Sequence, residues 1–174
     1  EIAEIDARQM VLGYWIAIQN NKRDMMMTTD NEMVYLRRCI ELAVEALEAG
    51  DAPFGSVLVD GNGKVLQEDP EIAVTKWAAQ NMTPEARAKA VVYTSGEHCA
   101  MCSAAHAWAG LGRIVYISSS KQLGKWMDEM GVSSTSPIHS LSIQEVAPNV
   151  PIEGPIAGLD EEIRALQQRA FKKA

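Results

Sequence analysis

Glu97-His98-Cys99-Ala100-Met101-Cys102 is the stretch whose reading decides the fold. It follows Val91-Val92-Tyr93-Thr94, an apolar, β-branched run that reads as a strand. Residues i and i+3 share one face of a helix, so a C-x-x-C in a first helical turn can converge on one ion. The partial positive charge of a helix N-terminus also favours thiolates, the form that binds metal. Ser103 to Gly110 is small, apolar and free of proline, so the motif is expected to open a buried helix.

Working outward, strand and helix signals alternate. Residues 1–27 carry an apolar stripe, Ile5, Leu12, Trp15, Ile16 and Ile18, and are expected to be helical. Met25-Met26-Met27 reads as packing or linker. Thr29-x-x-Glu32 is a capping box announcing a second helix to about Ala49, with Leu36, Cys39, Ile40, Ala43 and Leu47 on one face. Gly50 is its natural stop. Ser56 to Val59 and Lys64 to Gln67 read as strands joined by the hairpin signal Asp60-Gly61-Asn62-Gly63.

A helix is expected from Asp69-Pro70-Glu71 through Trp77, and a short one from Thr83-Pro84-Glu85. Arg113 to Ile117 reads as a strand and Lys121 to Met130 as an amphipathic helix. Residues 132–158 are rich in Ser, Pro and Gly, with strand candidates near Leu141–Val146. Asp160 to Lys173 reads as a closing helix. Such alternation after a hairpin indicates a layered α/β domain.

Composition narrows the classes. At 174 residues the chain suits one domain with a real core. A formal charge of −7 argues against broad phosphate-backbone binding, so nucleic acid is not the expected partner. No apolar run approaches the ~20 residues of a membrane span, and no signal-peptide pattern opens the sequence. Three cysteines, two of them in the C-x-x-C, do not make a disulfide framework, so a reducing cytoplasm is expected. Cys39 reads as a core residue.

Two segments together carry a resemblance. Ala52-Pro53-Phe54-Gly55-Ser56-Val57-Leu58-Val59, and Tyr93 to Cys102 continued by Trp108-Ala109-Gly110-Leu111-Gly112-Arg113-Ile114-Val115-Tyr116, resemble the cytidine deaminase-like zinc hydrolases. The likeness is greatest to the guanine, cytosine and tRNA-adenosine deaminases and spans roughly Val34 to Tyr116. It implies a three-layer α/β/α fold with a mixed central sheet, forming a deaminase domain over 33–174, with residues 1–32 as an extra helical extension. It also implies a Zn²⁺ cofactor, Cys99 and Cys102 as ligands, and Phe54, Gly55, Gly96 and Glu97 flanking the substrate. A homodimer is a further implication of the family.

The family signature is H-x-E followed by P-C-x-x-C, and here the chain departs from it. No histidine precedes His98. Asp69-Pro70-Glu71 is the best-placed triplet, which aligns Glu71 with the proton-shuttling glutamate and sets Asp69 where the family has its histidine ligand. The connection into this helix, Gln67-Glu68-Asp69-Pro70, is shorter than in the family. Two explanations stay open. Either the loop is truly absent, leaving Asp69 as a carboxylate ligand or no third ligand, or a segment ending in histidine belongs before Pro70 and is missing from this sequence. Asp at N-cap, Pro at N1 and Glu in the first turn is also ordinary helix-start chemistry.

His98 replaces the family's proline and is expected to play a local structural role. His106 cannot join both cysteines on one ion, because seven residues of helix span ~10 Å while zinc bonds are about 2.0–2.3 Å. It reads as a pocket or core residue, Trp108 reads as core, and His139 receives no role. The resemblance therefore implies a hydrolase acting on carbon–nitrogen bonds, with a small nucleobase or nucleoside, guanine- or cytosine-type, as substrate. The competitors are a tRNA adenosine deaminase and a non-catalytic zinc-binding or assembly module. A thioredoxin-like redox role is disfavoured by the residues that flank the C-x-x-C.

Overall fold

Ser56-Val57-Leu58-Val59 is buried at all four positions and forms strand β1. The run can be buried on both faces because helices cover both sides of the sheet. The computed structural model describes residues 30–133 and 136–173. The helix expected over residues 1–27, and Thr29 of the capping box, lie outside them. Val34–Ala174 forms one compact unit, and among the described residues no helix is long and apolar enough to cross a membrane.

Helix α1 (Asp30–Ala49) buries Leu36, Cys39, Ile40, Ala43 and Leu47, the face expected from its periodicity. It ends at Gly50, whose positive φ of 95° suits a helix stop. The hairpin joins β1 to β2 (Val65–Asp69), with the Asp60 carboxylate accepting from the backbone N–H of Asn62 and Lys64. β2 runs two residues beyond the expected return strand and takes Asp69 into register with Ser56.

Next come α2 (Glu71–Asn81), α3 (Pro84–Lys89), β3 (Val91–Gly96), α4 (Ala100–Ala109) and β4 (Arg113–Ser118). The chain ends with α5 (Ser120–Glu129), α6 (Ile143–Val146), β5 (Ile152–Glu153) and α7 (Asp160–Lys173). The strand order is β2-β1-β3-β4-β5. β1 is antiparallel to both neighbours, whereas β3–β4 and β4–β5 are parallel. This is the expected mixed sheet.

Strand alternation sorts the layers. Leu58 and Val92 point to α2, where they form a core cluster with Val74, Ala78, Ala90 and Leu111. Their neighbours Val57 and Tyr93 point to the opposite face: Cys39 of α1 meets Val57, and Tyr35 packs on Tyr93 with ring centroids 4.9 Å apart. Helix α7 lies beside α1, joined by Arg37–Glu162, and packs on β4.

Three local expectations are corrected. Pro70, not Asp69, is the N-cap of α2, and no side chain caps it, because Asp69 is held in the β2 ladder. Leu141–Val146 holds helix α6 rather than a strand, since Ser142 and Glu145 close a capping box. Trp108 is 91% exposed rather than core. α4 buries the face of Cys102, Ser103 and His106, and Trp108 stands half a turn away from it.

Gly55 sets how closely β1 approaches α1. A Cβ there would lie 2.4 Å from Leu42 Cβ and 2.8 Å from the Cys39 carbonyl oxygen. Because the obstacle includes helix backbone, Gly55→Ala is expected to destabilise the fold by about 1–3 kcal/mol, read from urea unfolding midpoints.

Candidate active site

The turn between β3 and α4 places the C-x-x-C. Cys99 is the N-cap of α4, in extended conformation, and its carbonyl accepts the first helical hydrogen bond from Ser103 N at 2.9 Å. Cys102 therefore falls on the first turn. The two cysteines differ in environment: Cys99 is exposed, and Cys102 is 5% exposed. Burial, then the neighbouring Cys99 and Glu71, push the Cys102 thiol up to about 12, so with no metal bound it stays protonated at neutral pH.

Glu71 is the first residue of α2, and its carboxyl group points at the end of β3. Thr94 Oγ1 lies 3.0 Å from Glu71 Oε1 and also 3.0 Å from the Gly96 carbonyl oxygen, and it accepts from Ser56 Oγ at 3.0 Å. Ser56 and Thr94 lie directly opposite in the β1–β3 register, on the α2 side of the sheet. Desolvation raises the Glu71 pKa above the ordinary carboxylate range, and backbone and Thr94 hydrogen bonds offset it only in part. Glu71 and Cys102 are close enough to interact electrostatically.

Asp69 is half-buried in β2, hydrogen-bonded by the Gln67 side-chain amide. His98 is fully buried behind the motif, edge-on to His106 with ring centroids 5.6 Å apart. Neither ring nitrogen of His98 has a partner, and burial followed by His106 lowers its pKa to about 3. His106 Nε2 lies 2.9 Å from the Gly112 carbonyl oxygen, which draws α4 against the start of β4.

A cleft of about 960 Å³ opens beside the motif. Phe54, Gly96, Glu97 and Cys99 line it, whereas Gly55, Asp69, Glu71 and Cys102 do not. Its walls are largely apolar, with Leu123, Met127, Leu141 and Phe171, and among the described residues no Lys or Arg lines it. His139, given no role from sequence, also lines it. Glu97 uses both carboxylate oxygens on backbone: Oε2 accepts from Ser120 N at 2.8 Å and Oε1 from Ile143 N at 2.9 Å. Two helix N-termini are thereby tied to the residue two before Cys99.

Sequence reading missed Thr94 and the wall formed by α5, α6 and α7. Strand alternation could have placed Thr94 on the α2 side. Nothing local marks α7 as a cleft wall.

A zinc ion fits this donor set only in part. Two thiols one turn apart are the right chemistry, but a catalytic zinc takes three protein donors. Among the described residues no group of three or more His, Cys, Asp or Glu side chains is arranged to hold a metal ion.

Comparison with known proteins agrees with the geometry. No family model matches the chain. The protein named "Probable cytosine deaminase" of Schizosaccharomyces pombe is 33% identical over 135 residues, covering 72% of this chain and 83% of that one. "tRNA-specific adenosine deaminase 2" of Danio rerio is 25% identical over 138 residues, covering 68% of this chain and 64% of that one. The crystal structure of a guanine deaminase from Nitrosomonas europaea superposes with a TM-score of 0.53 at 16% identity, covering 84% of this chain and 87% of that one. The chain belongs to the cytidine deaminase-like family, in the branch of the cytosine and tRNA adenosine deaminases, hydrolases that act on carbon–nitrogen bonds.

Two outcomes follow from the electrostatics. A carboxyl group whose pKa is raised in the folded state contributes fully to stability below its unfolded pKa, and that contribution is lost as pH rises through the folded value. Metal-free Glu71→Gln is therefore expected to melt above the parent protein at pH 8, with the difference closing as the pH falls into the carboxylate range. For Glu97→Ala, two helix-terminal N–H groups lose their acceptor, and a loss of about 1–3 kcal/mol is expected. Hydrogen exchange should then quicken at residues 120–122 and 142–146 before the rest of the sheet.

Proposed function

We propose that the protein is a zinc-dependent hydrolytic deaminase of a nucleobase or nucleoside, guanine- or cytosine-type, releasing ammonia. The observation that carries this reading is the convergence of the desolvated Glu71 carboxyl, Thr94 and the Cys99–Cys102 pair at the carboxyl ends of β1's antiparallel neighbour and the parallel strand beside it. The names of the relatives support the reaction class.

In the proposed reaction, water replaces an exocyclic amine on a ring carbon. Glu71 takes a proton from water and passes it to the ring, and the nitrogen leaves as ammonia. A carboxyl group with a raised pKa suits both halves of that transfer, because it exchanges its proton nearer to neutrality than an exposed carboxylate does. Thr94 holds one carboxyl oxygen and so fixes which way Glu71 points. Phe54, Gly96 and Glu97 border the cleft from which the base approaches, and Gly55 acts behind them through its packing on α1. A described lining without Lys or Arg favours an uncharged small molecule over a phosphate-bearing or nucleic acid ligand. Cys99 and Cys102 are the proposed zinc donors, and the third is either Asp69 or a histidine in a segment before Pro70. A homodimer in the cytoplasm completes the reading.

The first test is tryptic mass mapping of the protein. Recovery of the uninterrupted peptide from Val65 to Lys76 assigns the third position to Asp69 or leaves it empty. A longer peptide containing His-Pro-Glu in its place supplies the family ligand. Ammonia release from a panel of bases and nucleosides, with bound zinc measured on the same sample, then tests the activity. Full zinc loading without ammonia from any of them would leave the non-catalytic module as the better reading. Where activity is found, Glu71→Gln is expected to lower kcat by about 10²–10⁴-fold with little change in KM.

A further inference from the structure

Helix α7 buries Ile163, Leu166 and Gln167 at the spacing of an apolar face, and the last of these is polar. Gln167 is 3% exposed and lines the 960 Å³ cleft, one helical turn before Ala170 and Phe171. Among the described residues no hydrogen bond engages its side-chain amide. A primary amide carries two N–H donors and a carbonyl acceptor, and burying them unpaired is destabilising. The other polar groups of the lining are already served. Ser118 Oγ donates to the Ser95 carbonyl at 3.0 Å, Ser119 Oγ donates to Gln122 Oε1 at 3.0 Å, and both Glu97 oxygens hold backbone N–H groups. Asp51, His139 and Ser140 are exposed to water. Gln167 is thus the buried polar side chain of the described lining whose hydrogen bonds remain to be made. The same cleft is bordered by Cys99 and the Gly96–Glu97 turn, so it runs from the site proposed above to α7.

We infer that Gln167 is a specificity-determining residue whose carboxamide reads the lactam edge of the base, a ring N–H beside a ring C=O. The amide carbonyl accepts from the ring N–H, and the amide N–H donates to the ring C=O. Both hydrogen bonds form in a wall that is otherwise largely apolar, where a paired polar group gains most and an unpaired one costs most. Cytosine offers this pair at N1–H and C2=O, and guanine at N1–H and C6=O. Adenine has no ring carbonyl, and in cytidine the sugar replaces the N1 proton, so each leaves part of the amide unpaired. The substrates are therefore lactam bases, with cytosine preferred to cytidine and guanine to adenine. This deepens the deaminase reading and rests on it for the class of substrate.

The test separates recognition from reaction by using uracil and 1,3-dimethyluracil, neither of which has an exocyclic amine to lose. Binding of each to the full chain is measured by titration calorimetry. Uracil is expected to bind about 10–100-fold more tightly, the range for a two-bond contact to a base edge. In Gln167→Met, close in shape but apolar, that ratio is expected to fall to near one. The melting temperature of this variant should stay level or rise, because an unpaired buried amide has been removed. Equal affinity of the parent protein for the two compounds, binding of neither, or a ratio that survives in Gln167→Met would overturn the inference. A ratio lost together with a lower melting temperature would overturn it too, since that marks a structural residue. Where ammonia is released, Gln167→Met is expected to raise KM for cytosine or guanine by a similar factor with kcat little changed. A zinc-loaded protein that tells the two uracils apart but releases no ammonia would sink the deaminase reading alone. Ammonia release without that discrimination would sink this inference alone.

Discussion

The structure depends on the change of strand direction at β3. This strand is antiparallel to β1 on one side and parallel to β4 on the other. Its carboxyl end must leave the sheet where β4 also ends, and there the backbone can neither continue the ladder nor remain unpaired. The chain meets this demand within four residues. Ser95 Oγ accepts from Gly55 N at 3.0 Å, Glu97 N donates to the Ser118 carbonyl at 2.7 Å, and Glu97's carboxylate takes up two helix N-termini. α4 can then begin at Cys99 with its N-terminus facing the cleft. In open α/β sheets such a point is where ligands collect.

That arrangement carries a stability cost. Glu71 loses solvent without gaining a cationic partner among the described residues, and its hydrogen bond from Thr94 restores only part of what desolvation removes. His98 is buried with both ring nitrogens unpartnered and remains neutral. Structural carboxylates in this chain behave differently. Glu145, in the capping box of α6, has its pKa lowered by Ser142, and Asp60 by the hairpin backbone. Glu71 is the carboxylate beside the cysteine pair whose desolvation is only partly offset.

Much of the fold was legible. The α1 face, β1, the hairpin and the C-x-x-C helix each carry a signal within a dozen residues: apolar spacing, a glycine turn, or a cap. Errors fell where local signals were equivocal. Asp69-Pro70-Glu71 reads as a helix start because its residue types suit one, yet pairing with Ser56 held Asp69 in the sheet and left the cap to Pro70. Leu141–Val146 has strand-like residues but a Ser142–Glu145 box, and the box prevailed. Trp108 reads as core on hydrophobicity alone, although its position opposes the buried face of α4.

The sequence by itself determined the α/β class, the helix-borne cysteine pair and the glutamate at the head of α2, because periodicity and capping are written in neighbouring residues. Only the tertiary structure decided which cysteine is reached by solvent and which carboxylate loses its water. It also decided that the Glu97 oxygens are already taken and that no third metal donor stands with Cys99 and Cys102 among the described residues. The reason is geometric. A residue's spacing fixes its side of its own helix or strand, but exposure, desolvation and coordination depend on what distant segments bring against that side.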